Sequence, residues 1–184
     1  MLIDFPINKK KYIILNINSG ELALERRWQI DNFIELSKYI LDTYDIEIIL
    51  IGGKNEKEYV SKYVFKMEKY CNKIIDTSGK ISIKELMVLF QKALFFITND
   101  SGPLHLGNAL KVPLAVFFGP ETPVLFGPIG EKKIVFYTNE RCSPCISSKN
   151  KKAINCIHNN RCLTNIKPIN VFNEIKKIID EAIQ

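Results

Sequence analysis

An α/β fold built on a parallel sheet is what this sequence predicts, and three observations carry the prediction. Short apolar, β-branched runs alternate with amphipathic helical stripes. The runs end in turns rich in glycine, proline, serine and threonine. The composition, 46% hydrophobic and 25% charged over 184 residues, is that of one globular domain long enough to bury a core. Strands alternating with helices imply right-handed βαβ units in three layers, with the sheet buried between helices.

Each element has its own justification. Tyr12–Ile17 reads as the first strand by its β-branched content and polar boundary. Residues 1–11 ahead of it read as a linker or N-terminal extension, so the domain runs from 12 to 184. Ile30, Phe33, Ile34, Ile40 and Leu41 share one helical face with charges opposite. Ile46–Ile51 is the second strand and ends at Gly52-Gly53. Val60, Tyr63, Val64 and Met67 form the next stripe. Ser82 and Glu85 have capping-box spacing before Leu86, Met87, Leu89 and Phe90. Ala93–Ile97 and Val112–Pro120 are apolar runs of two further strands. Pro168 opens a C-terminal helix carrying Val171, Ile175, Ile178, Ile179 and Ala182. Aromatic and methionine positions in these stripes are expected in the core.

The stretch Thr98–Leu106 is the most informative. A helix is expected to begin between Ser101 and Pro103, where the missing proline N–H costs nothing. Strand, small-residue turn and helix place backbone N–H groups and the positive helix end at the carboxyl edge of the sheet, which favours an anion. His105 would lie one turn in, facing the same crevice. Ser101, Gly102 and His105 then suit a diphosphate held by amides, a hydroxyl and an imidazole donor. The plainer reading is a turn in which Asp100 caps the helix and Gly102 relieves strain. The next strand also ends in a glycine–proline loop, through Glu121-Thr122-Pro123 and Phe126-Gly127-Pro128. Consecutive strands ending this way line a crevice, the usual ligand position in open α/β sheets. Ser19 and Gly20, after the first strand, offer a hydroxyl and a flexible amide to phosphate.

These residues carry a family resemblance. Asp100-Ser101-Gly102-Pro103-Leu104-His105-Leu106 matches D-[ST]-G-x-x-H-L, and Phe118-Gly119-Pro120-Glu121-Thr122-Pro123 matches F-G-P-T-x-P except at Glu121, where threonine is usual. Both resemble the signature of the family 9 glycosyltransferases, the lipopolysaccharide heptosyltransferases and their relatives. The resemblance extends through Asn16–Gly20, Arg26-Arg27-Trp28, Gly52-Gly53 and Gly79–Ser82, over most of residues 12 to 167. It implies a Rossmann-like domain equivalent to the C-terminal, donor-binding half of a two-domain GT-B glycosyltransferase. The catalytic base would lie in the other half, so this chain alone would bind a donor and transfer nothing. The implied reaction moves a heptose-type sugar from a nucleotide diphosphate, ADP-heptose by resemblance, to a lipopolysaccharide core acceptor. Arg26 matches a basic position that approaches the donor phosphates, and a guanidinium fork suits that role; the alternative is that Arg26 and Arg27 are solvated loop charges. Glu56 matches an acidic position near the donor ribose, and equally reads as a first-turn acid favoured by the helix dipole. Ile81 matches a position bordering the adenine. Asp100 would orient the turn and offer a partner to a donor sugar hydroxyl. The resemblance requires no cofactor or catalytic metal.

Cys142-Ser143-Pro144-Cys145, Cys156 and Cys162 form a C-x2-C-x10-C-x5-C arrangement in a polar loop over 139–165. Four thiolates can hold a structural zinc, with His158 as an alternative ligand. Free thiols and disulfides are the competing readings, the last disfavoured in a reducing compartment. Cys71 is expected to be buried. A net charge of +6 allows attraction to phosphorylated glycolipid at a membrane face, although Lys9–Lys11 and Lys149–Lys152 also read as solvated clusters. No apolar run approaches the roughly 18 residues of a membrane span, so a cytoplasmic protein, peripheral at the inner membrane, is expected. Nothing resembles a nucleic-acid module. The partners expected are the nucleotide sugar, the acceptor, and an N-terminal-domain partner or second copy. Two rivals stand beside this reading: a nucleotide-binding or interaction module without catalysis, and a nucleotide-sugar epimerase, against which the Asp100–His105 spacing argues.

Overall fold

The computed structural model describes residues 11–21, 23–147 and 155–183. Six strands form one sheet: β1 (Tyr12–Asn16), β2 (Glu47–Leu50), β3 (Ile74–Asp76), β4 (Phe95–Asn99), β5 (Leu114–Phe117) and β6 (Lys133–Phe136). Their order is β3-β2-β1-β4-β5-β6, and every pairing is parallel. The chain winds outward from β1 in one direction, then returns to place β4 on its other side. The gap between β1 and β4 is therefore the switch point at which open α/β sheets bind ligands.

Side-chain alternation along the strands explains the layers. Ile13, Leu15, Ile48, Leu50, Phe95 and Ile97 point to one face, into a core shared with α1 (Ile30–Thr43), α2 (Lys57–Lys66) and α7 (Pro168–Ile183). Tyr12, Ile14, Ile49, Phe96, Leu114 and Val116 point to the other, where Leu89 and Phe90 of α3 (Ile83–Lys92) and Leu104 of α4 (Gly102–Ala109) meet them. Burying each such side chain contributes about 1.5–3 kcal/mol before entropy is counted. Two short helices complete the chain, α5 (Pro123–Phe126) and α6 (Arg161–Thr164).

The expected three-layer α/β architecture is the one observed, with sharper boundaries and some reassignments. The four strands read from sequence are present, three of them shorter than their apolar runs and β4 the same length but two residues later. β3 and β6 were not foreseen. The Ser82–Glu85 capping box forms, with Ser82 Oγ accepting from the Glu85 amide. Met87 and Ala182, expected inward, are exposed because each falls at the edge of its helical stripe. Cys71 is exposed too, in a short helical turn between α2 and β3. Residues 1–10 of the expected linker, and Lys149–Lys152, lie outside the described residues.

Candidate functional site

Three strand ends and one helix start converge at the switch point. A cleft of about 650 Å³ opens there. Asn16, Ser19 and Gly20 reach it from the end of β1, and Gly53, Lys54 and Glu56 from the turn after β2. Ser101, Gly102 and Pro103 reach it from the start of α4, with Arg26 beside them. Pro103 stands in the first turn of α4, as its ring permits. Ser101 holds the N-cap position, yet its side chain makes no cap bond. Asp100 does not cap the helix either; it pairs with Arg26. The first-turn N–H groups of α4 are thus not consumed by a side-chain cap.

Buried asparagines brace this arrangement. Asn99 accepts the Trp28 N–H at 2.9 Å and donates to the Asn18 carbonyl at 3.2 Å, tying the loops after β1 and β4 together. Asn16, at 1% exposure, donates to Ser101 Oγ at 2.9 Å and to Thr98 Oγ1 at 3.1 Å. Its carbonyl oxygen accepts the Asn18 N–H at 3.2 Å. Each such bond contributes about 0.5–1.5 kcal/mol, and leaving any one buried group unmet would cost more.

Arg26 is the main cation of the cleft. Its guanidinium is gripped at both ends, by Asp100 Oδ2 at 3.3 Å and by the Ser19 carbonyl at 2.9 Å. Its Nε is buried and has no hydrogen-bond partner. Arg27 turns away and lies over the Tyr59 ring, 4.2 Å from its centroid. The two adjacent arginines therefore divide: one faces the cleft and the other packs. Ser19 contributes its carbonyl more than its hydroxyl, which is spent on the Ala23 carbonyl at 3.0 Å. Glu56 already engages two amides, Gly20 N–H at 3.1 Å and Gly53 N–H at 2.8 Å. Gly20 has φ +74°, a left-handed conformation that presents its N–H to that carboxylate.

Other predicted residues fall outside this grouping. His105 is exposed on α4 and is not among the residues lining the cleft. Ile81 packs against the apolar cluster beside α3 instead. Sequence reasoning missed Lys54 as a cleft residue, although a lysine directly after a Gly-Gly turn is the kind of signal that marks one. It also missed the bracing asparagines, whose signal is a polar residue ending an apolar strand.

Two of the four clustered cysteines, Cys145 and Cys162, lie beside the Phe118-Gly119-Pro120 turn, and no disulfide joins the described cysteines. The Cys145 amide donates to the Pro120 carbonyl at 2.9 Å, and a Cβ on Gly119 would stand 2.9 Å from Cys162 Sγ. Burial, then the neighbouring Cys145, Cys156 and Cys142 thiols, push the Cys162 thiol up to about 12. Burial raises Cys145 as well, with Cys142 and Cys156 adding to it. Among the described residues no group of three or more His, Cys, Asp or Glu side chains is placed to hold a metal ion.

Comparison with known proteins agrees with this fold. Lipooligosaccharide heptosyltransferase 2 of Campylobacter jejuni is 27% identical over 174 residues, covering 93% of this chain and 52% of that protein. Among solved structures, heptosyltransferase II of Escherichia coli superposes with a TM-score of 0.78 at 20% identity, covering 95% of this chain and 48% of the other. A family 9 glycosyltransferase from Veillonella parvula gives 0.73 at 27% identity, covering 93% and 47%. The chain spans about half the length of the Campylobacter jejuni relatives it matches. The profile of glycosyltransferase family 9 (heptosyltransferase) matches residues 3–155, a stretch that holds the whole cleft. By that match and by the fold built around it, the chain belongs to glycosyltransferase family 9.

Proposed function

We propose that this chain is the donor-binding half of a heptosyltransferase. It would hold a nucleoside diphosphate sugar, ADP-heptose in the first instance, for transfer to a lipopolysaccharide core acceptor. The observation that carries this reading is the convergence of Arg26, Ser101 and the α4 N-terminus in one cleft at the switch point. A diphosphate there would meet a guanidinium, a hydroxyl and the positive end of a helix. Arg26 would neutralise charge on the leaving nucleotide as the glycosidic bond breaks. Two solved relatives support the choice of nucleotide by their contents: E. coli WaaC was solved with ADP, and the dodecameric heptosyltransferase TibC with an ADP-heptose.

The acceptor base is assigned to a second domain, supplied by further chain or a separate partner. Among the described residues no helix is long and apolar enough to cross a membrane. We place the protein in the cytoplasm, meeting its acceptor at the inner membrane face. The test is calorimetric titration with ADP, UDP and GDP. Selective ADP binding, weakened about tenfold or more in Ser101→Ala and Arg26→Ala, supports the donor role. His105→Ala decides whether the exposed imidazole also reaches the ligand. Failure of every diphosphate to bind at millimolar concentration would count against a donor site complete in this chain.

The second reading is a nucleotide-binding or interaction module with no transfer of its own. Val124 (88% exposed), Leu125 (74%) and Ile129 (90%) favour it, as apolar side chains close together on one surface segment. Binding of ADP without transfer, even with the rest of a heptosyltransferase added, would select that reading.

A further inference from the structure

We infer that Asn16 is a positioning residue that turns the Ser101 hydroxyl into a hydrogen-bond donor facing the cleft. The inference rests on the reading of the cleft as a diphosphate site.

The orientation of the Asn16 amide is fixed by its neighbours. The Asn18 backbone N–H needs an acceptor and finds Asn16 Oδ1 at 3.2 Å. The Asn16 NH2 group therefore points to the other side, where two hydroxyls wait. One N–H goes to Ser101 Oγ at 2.9 Å and the other to Thr98 Oγ1 at 3.1 Å. Both hydroxyls thereby serve as acceptors toward Asn16, so each must send its own proton elsewhere. Thr98 sends its proton to the Asn99 carbonyl at 2.8 Å. Ser101 Oγ donates to the same carbonyl at 3.2 Å, the longer of the two bonds that carbonyl receives. Thr98 Oγ1, at 3.3 Å, offers the Ser101 proton only a longer second acceptor.

The Ser101 proton is thus the least held in the network, and Ser101 lines the cleft at the start of α4. An anion oxygen placed there gives it a charge-assisted bond, roughly twice as strong as a neutral one. Asn16 never touches the ligand in this scheme. It selects the polarity of the residue that does.

A double-mutant cycle tests this, with ADP as the probe and thermal melting as the check on folding. Ser101→Ala and Asn16→Ala should each weaken ADP about tenfold, and the double variant should be no weaker than either single one. That non-additivity is a readout which a merely structural asparagine would not give. The same cycle on Asn16→Asp, which keeps the side-chain shape, should lose ADP binding because the carboxylate draws the Ser101 proton inward. In that background Ser101→Ala should cost nothing further. If the two losses multiply instead, or if Asn16→Ala binds ADP normally, the inference is overturned while the cleft reading stands. If Ser101→Ala alone leaves ADP affinity intact, the cleft reading itself fails and takes the inference with it. If neither Asn16 variant folds, the amide is structural and the positioning role is rejected.

Discussion

Arg26 shows how much one residue's surroundings decide. Held between Asp100 and the Ser19 carbonyl, its guanidinium is fixed as a planar fork. A lysine would carry the same charge without spanning both anchors. Arg26→Lys should therefore weaken ADP by about tenfold while leaving the melting temperature nearly unchanged, measured by calorimetry beside a thermal scan. Were charge alone sufficient, the lysine variant would bind like the parent. At this scale the motif from Asp100 to His105 made part of the site legible, since Ser101 and Gly102 do line the cleft. It did not settle His105, which stands exposed on α4 outside the cleft lining, because a one-turn spacing does not say which way the ring faces. The bracing roles of Asn16 and Asn99 were not legible, as they depend on partners more than 70 residues away.

Among the elements, α4 and β4 matter most, because their approach sets where the cleft forms. Gly107 makes that approach possible: a Cβ there would stand 2.8 Å from Cδ1 of the Phe96 ring and 3.3 Å from the Phe90 ring. Both rings are buried and stacked edge to face, so neither can yield easily. Gly107→Ala gains about 1 kcal/mol of helix propensity. It should nonetheless be destabilising overall, because overpacking a tight core costs about 1–3 kcal/mol. A lowered urea midpoint would show it. Ser82→Ala should cost about 1 kcal/mol by removing the cap of α3, read from the same curve. The capping box was legible because its two residues are three apart and need no tertiary information. β3 and β6 escaped notice for the opposite reason: with three and four residues, and a lysine or aspartate at one end, each gains its strand identity from the neighbour it pairs with.

For the whole molecule, both cores follow from side-chain alternation along the strands, and the parallel sheet from strands alternating with helices, which is why the fold class was predictable from sequence and the site only partly so. Alkaline stability is a property at this scale. Burial pushes Tyr12 up to about 12, and Cys162 rises to about 12 through burial and neighbouring thiols. Each keeps its proton in the folded chain to higher pH than in the unfolded one, where thiols and phenols titrate near about 8.5 and 10. The folded state then binds more protons, so stability should hold up to about pH 8.5 and fall as the pH rises toward 12. Urea denaturation at a series of alkaline pH values checks the sign. Trp28 offers a further consequence. It is the only tryptophan in the chain. Fully buried, it stacks on Phe117 at 4.2 Å, while its backbone N–H is held by Asn99 and its indole N–H by the Ile166 carbonyl. One fluorophore thus joins the cleft wall to the core. Its emission should be blue-shifted in the native chain and red-shifted on unfolding. Because Arg26 is two residues away, an occupied cleft should also change its intensity, giving an unlabelled optical reading of ligand binding.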